Sequence, residues 1–434
     1  MRLLVIGLAG CASASEPTPT VLCGGGRTPC TDVRFVAHED DDLLFMNPDI
    51  AASIATGNRV VTVFVTAGTA TDPARMAMRE RGMLNAYAEM VAPEYAVTAP
   101  ESALLPNWSL AGGAPIELGP QRAIQYDFLP SAGQLSLVFL RVVEESAVDL
   151  RALVHDEVAE VATVPCATDC VLGSVLAAQR YTKDQLLATL GAIMQRFAAD
   201  AVATLDATGL HYREEGYGLG WLDHADHLAT AELAVAAFER YAGTATLDQY
   251  RAYNTGCERA NVADATAKRR TFYRYMVLGE GLAGSDGEEY TNRDPEDPHF
   301  ANKAYEAWTA RRYVVSSLPP ASGQLEVSGS CLVADLTLGA CADAPDWELT
   351  PAHSLRGAAG CVELAADGST HVAECLPGEA QRFVLTTTGQ LRTRGANCLE
   401  ADAAGVRAAS CAKAVDRHGD PIGRPVISQQ FRWR

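Results

Sequence analysis

Val33-Arg34-Phe35-Val36-Ala37-His38-Glu39-Asp40-Asp41-Asp42 takes the chain from a short apolar run into an imidazole followed at once by a row of carboxylates. Residues 33–37 read as a first β-strand. Arg59-Val60-Val61-Thr62-Val63-Phe64-Val65-Thr66 reads as a second, β-branched and almost continuously apolar, as strands buried on both faces of a parallel sheet are. Between them, 48–57 has helical spacing, so strand–helix–strand is the natural unit. Helical composition returns over 76–90, 183–205 and 227–241. This alternation predicts an α/β domain over 31–315, a Rossmann-like, mostly parallel sheet flanked by helices. In such sheets ligands bind outside the carboxyl ends of the strands, and His38 to Asp42 stand at that position.

A second cluster lies far downstream, Asp223-His224-Ala225-Asp226-His227, at the mouth of the helix expected from 227. Histidine and aspartate are good zinc donors, and three protein ligands leave a fourth position for water. A hydrolytic metal needs that open position. Each cluster also has a plain reading, as a solvated acidic turn or as polar residues at a helix start. Taken together the two are stronger than either alone.

Ala37-His38-Glu39-Asp40-Asp41-Asp42 resembles the Ala-His-Pro-Asp-Asp-Glu signature of the PIG-L (LmbE-like) deacetylases, and His224-Ala225-Asp226-His227 resembles that family's His-x-Asp-His signature. Flanking likeness, at Met78-Arg79-Glu80-Arg81-Gly82 and Tyr250-Arg251-Ala252-Tyr253-Asn254, is that of a secreted bacterial branch. The resemblance implies one Zn2+ per chain on His38, Asp41 and His227, with water as fourth ligand. Asp40 would be the general base and His224 would stabilise the oxyanion or protonate the leaving amine. Asp226 and Asp42 would stand behind the ligands, Asp226 orienting an imidazole. The family's substrate-contacting arginine falls on Arg79 or Arg81, although a surface helix carries such residues anyway. The family's proline is Glu39 here, and its final glutamate is Asp42. Neither change removes a ligand or the base; both bear on the shape of the rim.

The character changes at Ser316-Ser317-Leu318-Pro319-Pro320-Ala321-Ser322-Gly323, so 316–324 reads as a linker. Beyond it, 325–434 repeats Cys, short strand, turn, Cys and aromatic at roughly 30–37 residues per unit. Gln381-Arg382-Phe383 and Gln430-Phe431-Arg432-Trp433 resemble the Gln-x-Trp element of ricin-B-type lectins, and Cys361-Val362-Glu363 and Cys398-Leu399-Glu400 resemble their Cys-Leu-Asp. An all-β trefoil with local bridges Cys331/Cys341, Cys361/Cys375 and Cys398/Cys411 is expected, with a glycan as the ligand such a trefoil takes. Val333, Glu363 and Glu400 replace the aspartate of sugar-binding repeats, which leaves a structural or protein-docking role equally open.

The chain has 434 residues and a net charge of −19, which argues against nucleic acid as a partner. Twelve cysteines, several closely paired (Cys23/Cys30 and Cys166/Cys170 besides those above), suit disulfides in an oxidising compartment. Cys257 has no obvious mate. Leu3 to Ala9 reads as the apolar core of a signal peptide, and Leu8-Ala9-Gly10-Cys11 as a lipobox. Residues 1–11 would then be leader and lipidation site at Cys11, with 12–30 a tether; a plain cleaved signal peptide is the alternative. Membrane contact is expected only through that anchor. Three functions follow: an extracytoplasmic zinc N-deacetylase of an N-acetylated sugar or glycan, a non-catalytic glycan-binding lipoprotein, and a metallohydrolase of another amide or ester.

Overall fold

The computed structural model describes residues 29–434 save 99, 120, 132, 145–149, 155–156, 207–209, 212–221, 242–244, 256–259, 264, 281–307, 315–320, 351–353, 377–378, 382, 386–389, 394–396, 403, 411–412, 416–420 and 426. The leader, the lipobox with Cys11, Cys23, Cys257, Cys411 and the first half of the expected linker lie outside the described residues. The chain divides into two compact units, 1–317 and 318–434. Among the described residues no helix is long and apolar enough to cross a membrane.

In the first unit the elements run β1 (Thr31–Val36), α1 (Asp49–Ala55), β2 (Arg59–Thr66), α2 (Pro73–Val91), β3 (Trp108–Leu110), β4 (Ile116–Leu118), β5 (Gln121–Phe128), β6 (Leu135–Val142) and α3 (Leu150–Val154). They continue with β7 (Val161–Ala162), β8 (Arg180–Tyr181), α4 (Lys183–Phe197), β9 (Ala201–Leu205), β10 (Leu210–His211), β11 (Leu222–Asp223), α5 (Ala225–Arg240), β12 (Thr246–Tyr250) and α6 (Ala265–Gly279). The main sheet has the order β12-β9-β1-β2-β6-β5-β3, with β4 also on β5. From β12 to β6 it is parallel; β5 and β3 add an antiparallel edge.

The sheet is covered on both faces, which explains the unbroken apolar runs. Val36, Val60 and Phe64 pack into one core with Tyr87, Tyr126 and Phe139. Phe35, Val61 and Val63 pack into the other with Leu186, Leu190 and Leu233. The chain builds outward from β1 in one direction through β2 and β6, then crosses to place β9 and β12 on the other side. The end of β1 therefore lies at the switch in strand order, where such sheets open a crevice.

One helical expectation is corrected. The run 183–205 is not a single helix: α4 starts at a Thr182/Gln185 capping box and stops at Phe197, where Ala198 turns left-handed. Ala201–Leu205 is a strand because its five residues are buried between β1 and β12.

The second unit is strand-rich. Ala321–Gly323, which composition places in the linker, pairs with Trp347–Leu349, so the linker is shorter than 316–324. Leu325–Val327 pairs with Phe431–Trp433 and joins the two ends of the unit. A small core gathers Leu325, Trp347, Val362, Phe383, Leu399 and Phe431, and the buried Trp347 indole donates to the Leu332 carbonyl at 3.0 Å. Cys331–Cys341 and Cys361–Cys375 form disulfides, as does Cys166–Cys170 in the first unit; Cys30 and Cys398 are also disulfide-bonded.

Candidate metal centre

His38 and Asp41 leave the end of β1 in a tight turn that closes on itself, with the His38 backbone N–H donating to Asp41 Oδ2 at 2.7 Å. A π-type turn, Asp42–Met46, follows and buries Leu43 to Met46 in the core. His227 arrives from the first turn of α5, the helix after β9. The three side chains bring their donor atoms together: Asp41 Oδ1 to His227 Nε2 2.8 Å, His38 Nδ1 to His227 Nε2 3.1 Å, and His38 Nδ1 to Asp41 Oδ2 3.3 Å. Ligands about 2.0 Å from a tetrahedral zinc are themselves about 3.3 Å apart, so the triangle has the size of one face of such a site. Asp41 Oδ1 is buried and takes no hydrogen bond. Two imidazoles and a carboxylate at this spacing fit a zinc-like cation.

Each imidazole in the triangle is backed by a carboxylate. His227 Nδ1 meets Asp223 Oδ1 at 2.6 Å, which directs Nε2 to the triangle. His38 Nε2 meets Glu144 Oε1 at 3.1 Å, leaving Nδ1 on the triangle side. Such outer carboxylates fix the ring orientation and raise its basicity. Burial alone would lower the His227 imidazole, but Asp41 and Asp223 carry it to about 9. Burial likewise works against an ionised Asp41, and His227 and His38 overcome it and hold that carboxyl well below its usual range. Burial would raise Glu144; His38 pulls it down to about 2.

Asp40 is not in the triangle. Its carboxylate accepts from Arg79 Nη2 at 3.2 Å and remains partly open to solvent. Burial raises it to about 6, against the pull of Arg79. Arg79 also donates to the Gly68 carbonyl and lies 3.4 Å from Glu39 Oε2. Gly68 has a positive φ, and a Cβ there would press within 2.7 Å of the Arg79 side chain, so the turn after β2 makes room for this arginine. Glu39 is fully buried, and burial raises it to about 8.

His224 caps the start of α5, its Nδ1 accepting from the Asp226 backbone N–H at 3.1 Å. That bond leaves the ring proton on Nε2. Burial, then the charge of His38 and His227, lowers the group to about 4, so it is a neutral donor at neutral pH. Its ring stands edge-on to His38, centroids 4.6 Å apart. Asp226 lies 3.8 Å from His38 Nε2. Asp42 lies deeper and accepts from Tyr87 Oη at 2.5 Å without touching an imidazole. Arg81 is engaged elsewhere, by Glu101 at 2.9 Å and by the Asp169 carbonyl.

Two backing residues, Asp223 and Glu144, were not singled out from sequence. Asp223 could have been: it stands in the quoted run, four residues before His227 on the same side of the chain. Glu144 carries no local signal, since it reaches the site from beyond β6. Phe45 and Tyr253 close the other side of His227, with the Trp308 ring tilted against Tyr253, centroids 4.5 Å apart.

Residues 33–238 match the family profile described as PIG-L: GlcNAc-PI de-N-acetylase, a span that holds every residue of the triangle and its backing carboxylates. No curated protein matches the chain. Among solved structures, the zinc-inhibited form of teicoplanin deacetylase is similar at 14% identity, covering 61% of this chain and 93% of that one, with a TM-score of 0.29. The N,N'-diacetylchitobiose deacetylase of Pyrococcus horikoshii gives 13% identity, 59% and 75% coverage and 0.31. The 4-carboxy-2-hydroxymuconate hydratase of Pseudomonas putida KT2440 gives 12%, 64% and 83%, and 0.31. Likenesses this distant carry no weight for function, and the assignment stands on the family profile: residues 33–238 form a PIG-L/LmbE-like domain.

Proposed function

We propose that this protein is a zinc-dependent hydrolase that removes an N-acetyl group from an amino sugar or glycan. The observation that carries the reading is the donor triangle of His38, Asp41 and His227 with a separate, partly open carboxylate, Asp40, beside it. Zinc on those three residues supplies a Lewis acid and lowers the pKa of water toward neutrality. Asp40 is the group placed to take a proton from the attacking water, and Arg79 fixes its carboxylate. His224, neutral with its proton on Nε2, donates a hydrogen bond to the oxygen on which charge develops. Asp40 then returns its proton to the departing nitrogen, leaving acetate and a free amine.

The second unit, in this reading, is a β-trefoil that binds a glycan, and Cys11 is the lipid anchor of an extracytoplasmic chain. The supports are the repeated Cys and Gln-x-aromatic elements and the lipobox. The testing experiment measures zinc content and acetate release on the protein lacking 1–11, offered N-acetylglucosamine, chitooligosaccharides and peptidoglycan fragments. About one tight zinc per chain with acetate released supports the proposal. Folded protein that takes up zinc and releases acetate from none of these sinks the substrate class; failure to bind zinc sinks the site.

A further inference from the structure

The His38 imidazole has two polar sides, and the triangle uses only one of them. We propose that the other side is a second divalent-cation site, formed by Glu144, Asp226 and His224 around His38 Nε2. One ligand atom from each of these four residues lies within 4.8 Å of all the others. Glu144 Oε1 is 3.1 Å and Asp226 Oδ2 3.8 Å from His38 Nε2, and Asp226 Oδ2 is 3.9 Å from the His224 ring.

The second observation concerns what these atoms lack. All four residues are at least nine-tenths buried. Glu144 meets His38 Nε2 through Oε1 alone, and its Oε2, like Asp226 Oδ1, takes no hydrogen bond. Among the described residues neither carboxylate forms an ion pair with a lysine or arginine; the nearby Arg79 pairs with Glu39, Asp40 and Glu280 instead. Two carboxylates buried without a full cationic partner are costly, and a zinc-like cation on mixed oxygen and nitrogen donors removes that cost. Asp41 and His227 face Nδ1 and take no part, so the two ions would sit on opposite sides of one ring.

Binding there makes His38 a bridge between ions, and its remaining ring proton passes to solvent. The second ion is the weaker of the two. His38 is already committed through Nδ1, and a His224 that ligates through Nδ1 gives up its bond from the Asp226 N–H. Occupancy also withdraws His224 from the chemistry, so excess metal should slow turnover.

The test is equilibrium dialysis of the chelator-stripped full chain against zinc of rising free concentration, counting ions per chain by elemental analysis. Two ions per chain are expected, one tight and one bound at least tenfold more weakly. Asp226→Asn should lose the weak ion and keep the tight one, and His227→Ala should do the reverse. A wild-type count that stops at one in excess zinc overturns the proposal without reference to any variant, as does an Asp226→Asn protein that still takes up two. The count does not depend on acetate release, so a wrong substrate class leaves this result intact.

Discussion

The two segments that meet at the candidate metal centre are built by different means. At Asp223–His227 almost everything is local: Asp223 orients His227 four residues on, and His224 caps the helix whose first turn carries His227. At His38–Asp42 only the Asp41 turn is local. The ring of His38 is backed by Glu144 and the carboxylate of Asp40 is held by Arg79, and neither partner is a sequence neighbour. A helix start fixes side chains through its own backbone, whereas a strand end needs the rest of the sheet. The first segment should therefore tolerate distant change and the second should not.

The largest effect is expected where the two segments share an atom. His227→Ala removes one corner of the triangle, and both tight zinc and activity should fall to background. Full zinc occupancy in that variant would remove His227 from the ligand set. Asp40→Asn comes next, since a positioned general base contributes about 10²–10⁴-fold. Turnover should drop by that factor while the tight zinc stays. A drop below tenfold would show that the base lies elsewhere.

The local and distant supports can then be compared directly. Asp223→Asn and Glu144→Gln each loosen one imidazole, and loss of such a partner typically costs about 10–100-fold in metal affinity. Equal losses, measured by competition with a chelator of known affinity, are expected if each carboxylate only orients a ring. A Glu144 variant with unchanged affinity would mean that Asp41 alone positions His38 and that the strand-end segment is more self-contained than its contacts suggest.

The same contrast explains what could be read from the sequence. The sheet and both motifs were legible because a doubly covered strand announces itself in unbroken Val and Phe, and because the ligands cluster at element ends. The spacing does not say which imidazole an aspartate of this run serves: Asp223 backs His227, while Asp226 lies near the rings of His38 and His224. Arg79 and Arg81 could not be told apart on a helix, though one is drawn under the rim by Gly68 and Asp40 and the other pairs with Glu101. Glu144 had no signal because its role exists only through the β2–β6 pairing. In the second unit Ala321–Gly323 looked like linker because a three-residue edge strand of small residues has no pattern of its own.

The smallest effect tests how far the strand-end segment depends on what lies beneath it. Tyr87 Oη donates to Asp42 and is bonded to Thr62, linking β1's turn to β2 and α2 outside the donor triangle. Tyr87→Phe should leave zinc affinity and turnover within about twofold and cost about 1–2 kcal/mol of stability. That cost should depend on pH. Burial raises the Asp42 carboxyl to about 7, against the opposing Tyr87 bond. Below pH 4 it is protonated in both the folded and unfolded states, and Tyr87 meets a neutral group. A folded-state pKa raised above the unfolded one means that the native protein holds the extra proton between about 4 and 7, so Asp42 lowers stability as pH rises through that window. The hydrogen bond to the ionised carboxylate is the stronger one, so its loss is felt most above pH 7. Melting temperatures of the variant should therefore diverge from wild type as pH rises from 4 to 8. A constant gap across that range would show that Asp42 keeps one protonation state, and that the turn beneath the metal ligands is held by packing alone.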